Sequence, residues 1–139
     1  MSVVLSSENL RVKILSKGAE VCSVKNKKGL EFIWQADENV WPRHAPVLFP
    51  IVGKLKENTF FYGTTPYSLG QHGFARDRDF ILTKSDDASC TFELHSDSGT
   101  KSDFPFDFNF QISYRIDDKK LITKYDISNP ADLPLYFSV

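Results

Sequence analysis

An all-β fold is what this sequence predicts, and three features carry the expectation. Aromatic residues make up 14% of the chain, with phenylalanine far in excess; apolar and polar residues alternate in short runs; and Gly, Pro, Asn or Asp closes most of those runs. A period of two sends alternate side chains to opposite faces of a strand, so a chain written this way builds half-buried sheets. No helix of ordinary length is expected, and no internal repeat or low-complexity segment breaks the pattern.

Taken in order, Leu10, Val12 and Ile14 alternate with Arg11 and Lys13. Lys17-Gly18 then turns the chain into residues 19–24, and residues 27–29 turn it again into 30–34, giving a three-stranded antiparallel meander. From Trp41 to Gly53 the pattern changes, because Pro42, Pro46 and Pro50 recur too often for a helix interior or a central strand. That stretch is expected to be an ordered, irregular crossing, packed on the body through Val47, Leu48, Phe49, Ile51 and Val52.

Beyond it, residues 59–62 and 66–69 form a hairpin around Gly63-Thr64, and residues 70–73 break the pattern. Residues 80–84 and 91–95 pair as strands. Phe106, Phe108, Phe110, Ile112 and Tyr114 alternate with polar residues in the clearest half-buried strand, which Asp117-Asp118 turns into residues 121–127. After Asn129-Pro130, residues 135–139 read as the start of another apolar strand on which the sequence stops, so truncation is expected. Such a strand offers an edge for pairing with a second copy, a homodimer.

Composition narrows the partners. With 17 basic and 18 acidic residues the chain lacks a positive field that would gather nucleic acid or anionic lipid, and Lys25, Lys27 and Lys28 read as a solvated turn. No apolar run is long enough for a membrane span and no secretion signal opens the chain, so no membrane partner and a cytoplasmic location are expected. Cys22 and Cys90 stand alone and read as buried small hydrophobes.

The chemistry concentrates in Gly70-Gln71-His72-Gly73-Phe74-Ala75-Arg76. Flanking glycines let a ligand approach His72, whose imidazole is able to donate or accept a proton near neutral pH; a structural histidine bonded to backbone is an equal reading of the same residues. If residues 76–79 are extended, Arg76 and Arg78 share one face as a fork of donors, and Arg76 lies nearer His72. Asp77 and Asp79 sit too close along one strand for the opposed carboxylates of a glycosidase. His44 and His95 have no companions at metal-ligand spacing, and no metal site is expected. Trp41, Phe49 and Phe74 flank the polar groups, where a sugar would stack its C–H face; Phe49 reads as core, and Trp41 reads equally as core or platform.

The run from Trp41-Pro42-Arg43 through Ala45-Pro46-Val47-Leu48-Phe49-Pro50-Ile51-Val52-Gly53-Lys54-Leu55, followed by Gly70 to Asp77, resembles the aldose 1-epimerase family, in its LacX-related bacterial branch. The likeness extends over most of residues 15–139 and takes in Gly18-Ala19-Glu20. It implies that residues 1–139 are the amino-terminal part of a single galactose mutarotase-like β-sandwich, or supersandwich, with a small-molecule sugar bound in a cleft. It also implies an isomerase that interconverts hexose anomers: a glutamate takes the anomeric proton, a histidine protonates the ring oxygen, and no cofactor is needed because nothing is oxidised.

By the same resemblance His72 matches the family's first active-site histidine, near the sugar ring oxygen. Lys54 falls where many relatives carry an arginine that clamps hydroxyls, and keeps the charge without the planar fork. Arg76 matches a run in hexose-6-phosphate epimerases whose arginine helps bind phosphate. The family's acid and base have no counterpart in these residues, so the chain alone is expected to be inactive. A non-catalytic carbohydrate-binding module is the alternative.

Overall fold

The computed structural model describes residues 1–139. Three antiparallel strands, β1 (Ser2–Ser6), β2 (Leu10–Leu15) and β3 (Val21–Asn26), form one sheet in the order β1-β2-β3. A hairpin follows, β4 (Thr59–Tyr62) and β5 (Thr65–Ser68), and then a second sheet, β6 (Ile81–Ser85), β7 (Ser89–His95), β8 (Asn109–Asp117) and β9 (Lys120–Ser128), paired antiparallel in that order. Between β7 and β8 lies a six-residue helix, α1 (Ser98–Asp103), capped by Asp97, whose carboxylate accepts from the Thr100 N–H at 2.7 Å. No helix is long and apolar enough to cross a membrane.

The two sheets face each other across one apolar core. Val12 and Ile14 of β2 and Leu5 of β1 point inward, and Phe92, Phe110, Ile112 and Tyr114 meet them from β7 and β8. Tyr114 spans the gap: its hydroxyl donates to the Ala19 carbonyl at 2.7 Å, and burial pushes its pKa well above the usual phenol value. Cys22 and Cys90 are buried and unpaired, and burial raises the Cys90 thiol to about 11, which makes it a small hydrophobe rather than a nucleophile.

The expected meander is present but made of different strands. Its third member is β1, and residues 30–34 form no strand; Leu30, Phe32 and Trp34 are exposed. Residues 30–32 still meet β3 at one antiparallel bridge, with the Asn26 N–H donating to the Leu30 carbonyl at 3.2 Å and the Phe32 N–H to the Val24 carbonyl at 2.9 Å. The Glu31 carboxylate ends the ladder there, accepting from the Val24 N–H at 2.7 Å, from the N–H groups of Phe32 and Ile33 and from the Ser23 hydroxyl. The phenylalanine-rich alternation also runs further than the strand it predicts: Phe106 and Phe108 precede β8, and pairing with β7 begins at Asn109.

Residues 135–139 form no strand either. They lie against the proline-rich crossing instead, with the Ser138 N–H donating to the Pro50 carbonyl at 2.9 Å and the Ser138 hydroxyl accepting from the Val52 N–H at 2.8 Å. Phe137 brings its ring within 5.8 Å of Phe49. The crossing is thereby held from one side by the body and from the other by the end of the chain.

Candidate functional site

Phe49 anchors the crossing. It is fully buried, with its ring 4.9 Å from Phe110 and 5.0 Å from Phe108, and burial of a phenylalanine contributes about 2 kcal/mol or more. Its carbonyl is equally committed, accepting from both the Phe74 N–H at 3.0 Å and the Ala75 N–H at 3.1 Å. Two consecutive N–H groups aimed at one oxygen force the chain to turn, so residues 75–77 form a single 3-10 turn.

Gly73 makes that approach possible. It sits at φ +67, and a Cβ there would collide with the Phe49 carbonyl and lie 2.6 Å from Cδ of Pro50. His72, just before it, also has positive φ, at 66. Its N–H donates to the Gly53 carbonyl at 2.8 Å, and the Gly53 N–H donates back to Nδ1 of the imidazole at 2.9 Å. The glycine-flanked histidine and the proline-rich segment therefore meet through reciprocal bonds.

His72 is half-buried, with Nε2 directed toward Gln71, whose side-chain nitrogen is 3.3 Å away. Lys54 adjoins Gly53 in sequence; its side chain is exposed and enters none of the ion pairs. No carboxylate or second imidazole hydrogen-bonds His72.

A second cluster lies beside the first. Arg43 Nη2 is 3.0 Å from Asp77 Oδ1, Arg76 Nε is 3.6 Å from Asp77 Oδ2, and both arginines line an open hollow of about 340 Å³ with Glu20. Glu20 holds the start of the crossing by accepting from the N–H groups of His44 and Ala45 at 3.0 and 2.9 Å. Arg76 joins the clusters, since its Nη2 donates to the Gln71 carbonyl at 2.8 Å.

The expected arginine fork does not form. Because residues 75–77 turn, Arg78 departs from Arg76, resting 5.7 Å over the Phe74 ring and 3.8 Å from Asp97. Phe74 belongs to the core as well: it is 9% exposed and stacks 6.0 Å from Phe108, leaving no free face for a sugar. Trp41 is exposed, its carbonyl accepting from Trp34 Nε1, and its neighbour Pro42 lines the arginine hollow. Trp41 thus adjoins the arginine cluster. His95 stands on the outer face of the second sheet, paired with Glu93 at 3.2 Å.

Sequence reading passed over three residues that build the site: Gly53, which holds His72; Gln71, which links His72 to Arg76; and Ser138, which braces Val52. Gly53 and Gln71 lay inside the quoted motifs. Ser138 carried no local signal, because its role depends on a partner 86 residues away.

Known proteins share this fold. The family model described as aldose 1-epimerase matches residues 1–139. A galactose mutarotase related enzyme from Lactobacillus acidophilus superposes with a TM-score of 0.93 at 40% identity, over 95% of this chain and 44% of its own. A galactose mutarotase-like protein from Lactobacillus casei ATCC 334 gives 0.90 at 34% identity, over 93% and 44%. Protein LacX (plasmid) of Lactococcus lactis subsp. lactis is 31% identical over 134 residues, 93% of this chain and 45% of the LacX length. The chain spans less than half the length of these relatives. With its whole length matched and its sandwich shared at high similarity, the chain belongs to the aldose 1-epimerase family, on the LacX-related side.

Proposed function

We propose that these residues supply one wall of the sugar site of an aldose 1-epimerase-type isomerase, which interconverts the α and β anomers of a hexose or hexose phosphate. The reciprocal bonding of His72 and Gly53 is the observation that carries the reading, because it sets an accessible imidazole at a fixed place beside the uncommitted Lys54. In this reading His72 meets the sugar at its ring oxygen and Lys54 draws hydroxyl oxygens. Arg76, whose Nε is buried without a hydrogen-bond partner, lies close enough to Gln71 to add charge for a phosphate.

Ring opening needs a base at the anomeric hydroxyl and an acid at the ring oxygen, and closing on the other face reverses both transfers. On the family resemblance the base is proposed to lie outside these 139 residues, and the chain alone is expected not to speed anomer exchange. Titration calorimetry with galactose, glucose and their 6-phosphates is the first test, with binding expected for the parent and at least about tenfold weaker for His72→Ala. Polarimetry on freshly dissolved α-glucose is the second. Sugar binding unaffected by His72→Ala would refute the site; acceleration by the chain alone would refute the missing base. A carbohydrate-binding module without catalysis is the second reading, and a longer chain that binds sugar without exchanging anomers would establish it.

A further inference from the structure

One ring nitrogen of His72 faces the Gln71 side chain and the other faces the backbone. The Gly53 N–H reaches Nδ1 at 2.9 Å, and a backbone amide nitrogen donates and never accepts, so Nδ1 must hold a lone pair. The single proton of the neutral ring then belongs on Nε2. The returning bond from the His72 N–H to the Gly53 carbonyl, at 2.8 Å, and the positive φ of His72 keep the ring in this register.

We infer that the Gly53 N–H is a positioning group that locks His72 as the Nε2–H tautomer, so that the imidazole meets a ligand only as a donor to an oxygen lone pair. Neutral His72 is then unable to take a proton from a sugar hydroxyl, since Nε2 already carries one and Nδ1 is occupied. The base for anomeric deprotonation is another group by necessity. With its proton on Nε2, His72 calls for the Gln71 amide oxygen, rather than the nitrogen, at the 3.3 Å position, and half a turn of that amide supplies it. Gln71 covers the donor until a ligand oxygen replaces it. The identity of the ligand rests on the sugar reading above; the tautomer does not.

His95 provides an internal contrast. Its Nδ1 is 2.7 Å from Asn109 Oδ1 and its Nε2 is 3.2 Å from Glu93 Oε2, so acceptors face both nitrogens and no backbone N–H restricts the ring.

Long-range proton–nitrogen NMR on the labelled 139-residue chain, at about pH 8 where an ordinary imidazole of pKa near 6.5 is neutral, reads the tautomer directly. The His72 signals, identified by their loss in His72→Asn, are expected to show a protonated Nε2 and a bare Nδ1. A proton on Nδ1, or an even mixture, overturns the inference even if sugar binds. Two variants extend the test to function. Asparagine keeps an acceptor where Nδ1 stood and tolerates positive φ, but carries no donor at Nε2; glutamine places an amide N–H near Nε2. His72→Asn is expected to melt close to the parent while binding sugar about tenfold more weakly, with His72→Gln retaining more affinity than His72→Asn. The opposite ranking counts against a donor role. A locked tautomer in a chain that binds no sugar upholds the inference and removes the sugar reading instead.

Discussion

The two ends of the candidate site are held in place by different means. At the imidazole end main-chain atoms do the positioning: Gly53 and His72 bond to each other twice, and the Phe49 carbonyl receives the N–H groups of Phe74 and Ala75. At the arginine end charges hold one another, with Asp77 between Arg43 and Arg76 and Arg76 bound to the Gln71 carbonyl. Positioning by backbone leaves Nε2 of His72 met only by the Gln71 side-chain amide, and the Lys54 ammonium outside any ion pair. Mutual pairing spends most of the arginine end's charge on itself, so the charge-rich stretch is less available than the charge-poor one.

If the backbone carries the imidazole end, the largest effect in the site should come from a residue with no side chain. Gly73→Ala drives a methyl into the Phe49 carbonyl and the Pro50 ring at a φ that alanine adopts poorly. Overpacking and backbone strain together should cost about 3 kcal/mol, read as a lower urea midpoint at unchanged slope. A loss under about 0.5 kcal/mol would mean that the crossing shifts freely and that His72 is not rigidly placed.

The arginine end should respond less, and unevenly. Arg76→Ala removes the bond to the Gln71 carbonyl and leaves Asp77 to Arg43; a loss of about 1 kcal/mol is expected, with a matching fall in affinity for an unphosphorylated hexose as the His72 loop loosens. Arg43→Ala breaks only a half-exposed pair and should change stability by less than about 0.5 kcal/mol. If Arg76→Ala weakens binding of a hexose 6-phosphate much more than of the plain hexose, Arg76 is a phosphate contact and not merely a brace. Equal losses for the two sugars would assign it to the loop.

The same contrast explains what was legible in the sequence. Strands β4 to β9 follow from alternation and turn residues, which are local properties: the β6–β7 turn is closed by Asp86, whose carboxylate accepts from the N–H groups of Ala88 and Ser89. The special backbone of the proline-rich and histidine motifs was legible too, because glycine and proline mark places where a backbone must bend or be approached. Residues 30–34 were legible only in part, because alternation does not show that their ladder with β3 stops after one bridge, where the Glu31 carboxylate takes the Val24 N–H. Residues 135–139 misled because their partners, Pro50 and Val52, lie far away in the chain. The arginine fork failed for a related reason, since extended geometry at residues 76–79 was lost to the pull of one distant carbonyl. Gly53 escaped notice because its contribution is a main-chain N–H, which every residue but proline possesses.

Glu31 stands between the two modes, a charge doing a backbone's work, and its effect should be the smallest and the most dependent on pH. Burial alone would raise its pKa, but the Ser23 hydroxyl and the N–H groups of Val24, Ile33 and Phe32 outweigh it and hold the carboxyl below its usual value of 4.5. A carboxylate with a depressed folded-state pKa adds stability that is complete above the unfolded value and lost as pH falls through the folded one. Glu31→Gln keeps the shape and discards the charge. At pH 7 the variant should therefore melt below the parent, and the gap should close as pH drops from about 5 toward 3. Comparing the gap, rather than either melting curve, removes the acid sensitivity that the other carboxylates contribute to both proteins. A gap that stays constant across this range would mean that an uncharged acceptor serves the β3 edge as well, placing Glu31 with the backbone-like bonds of the imidazole end; a gap that widens in acid would mean that the carboxyl is held in its protonated form.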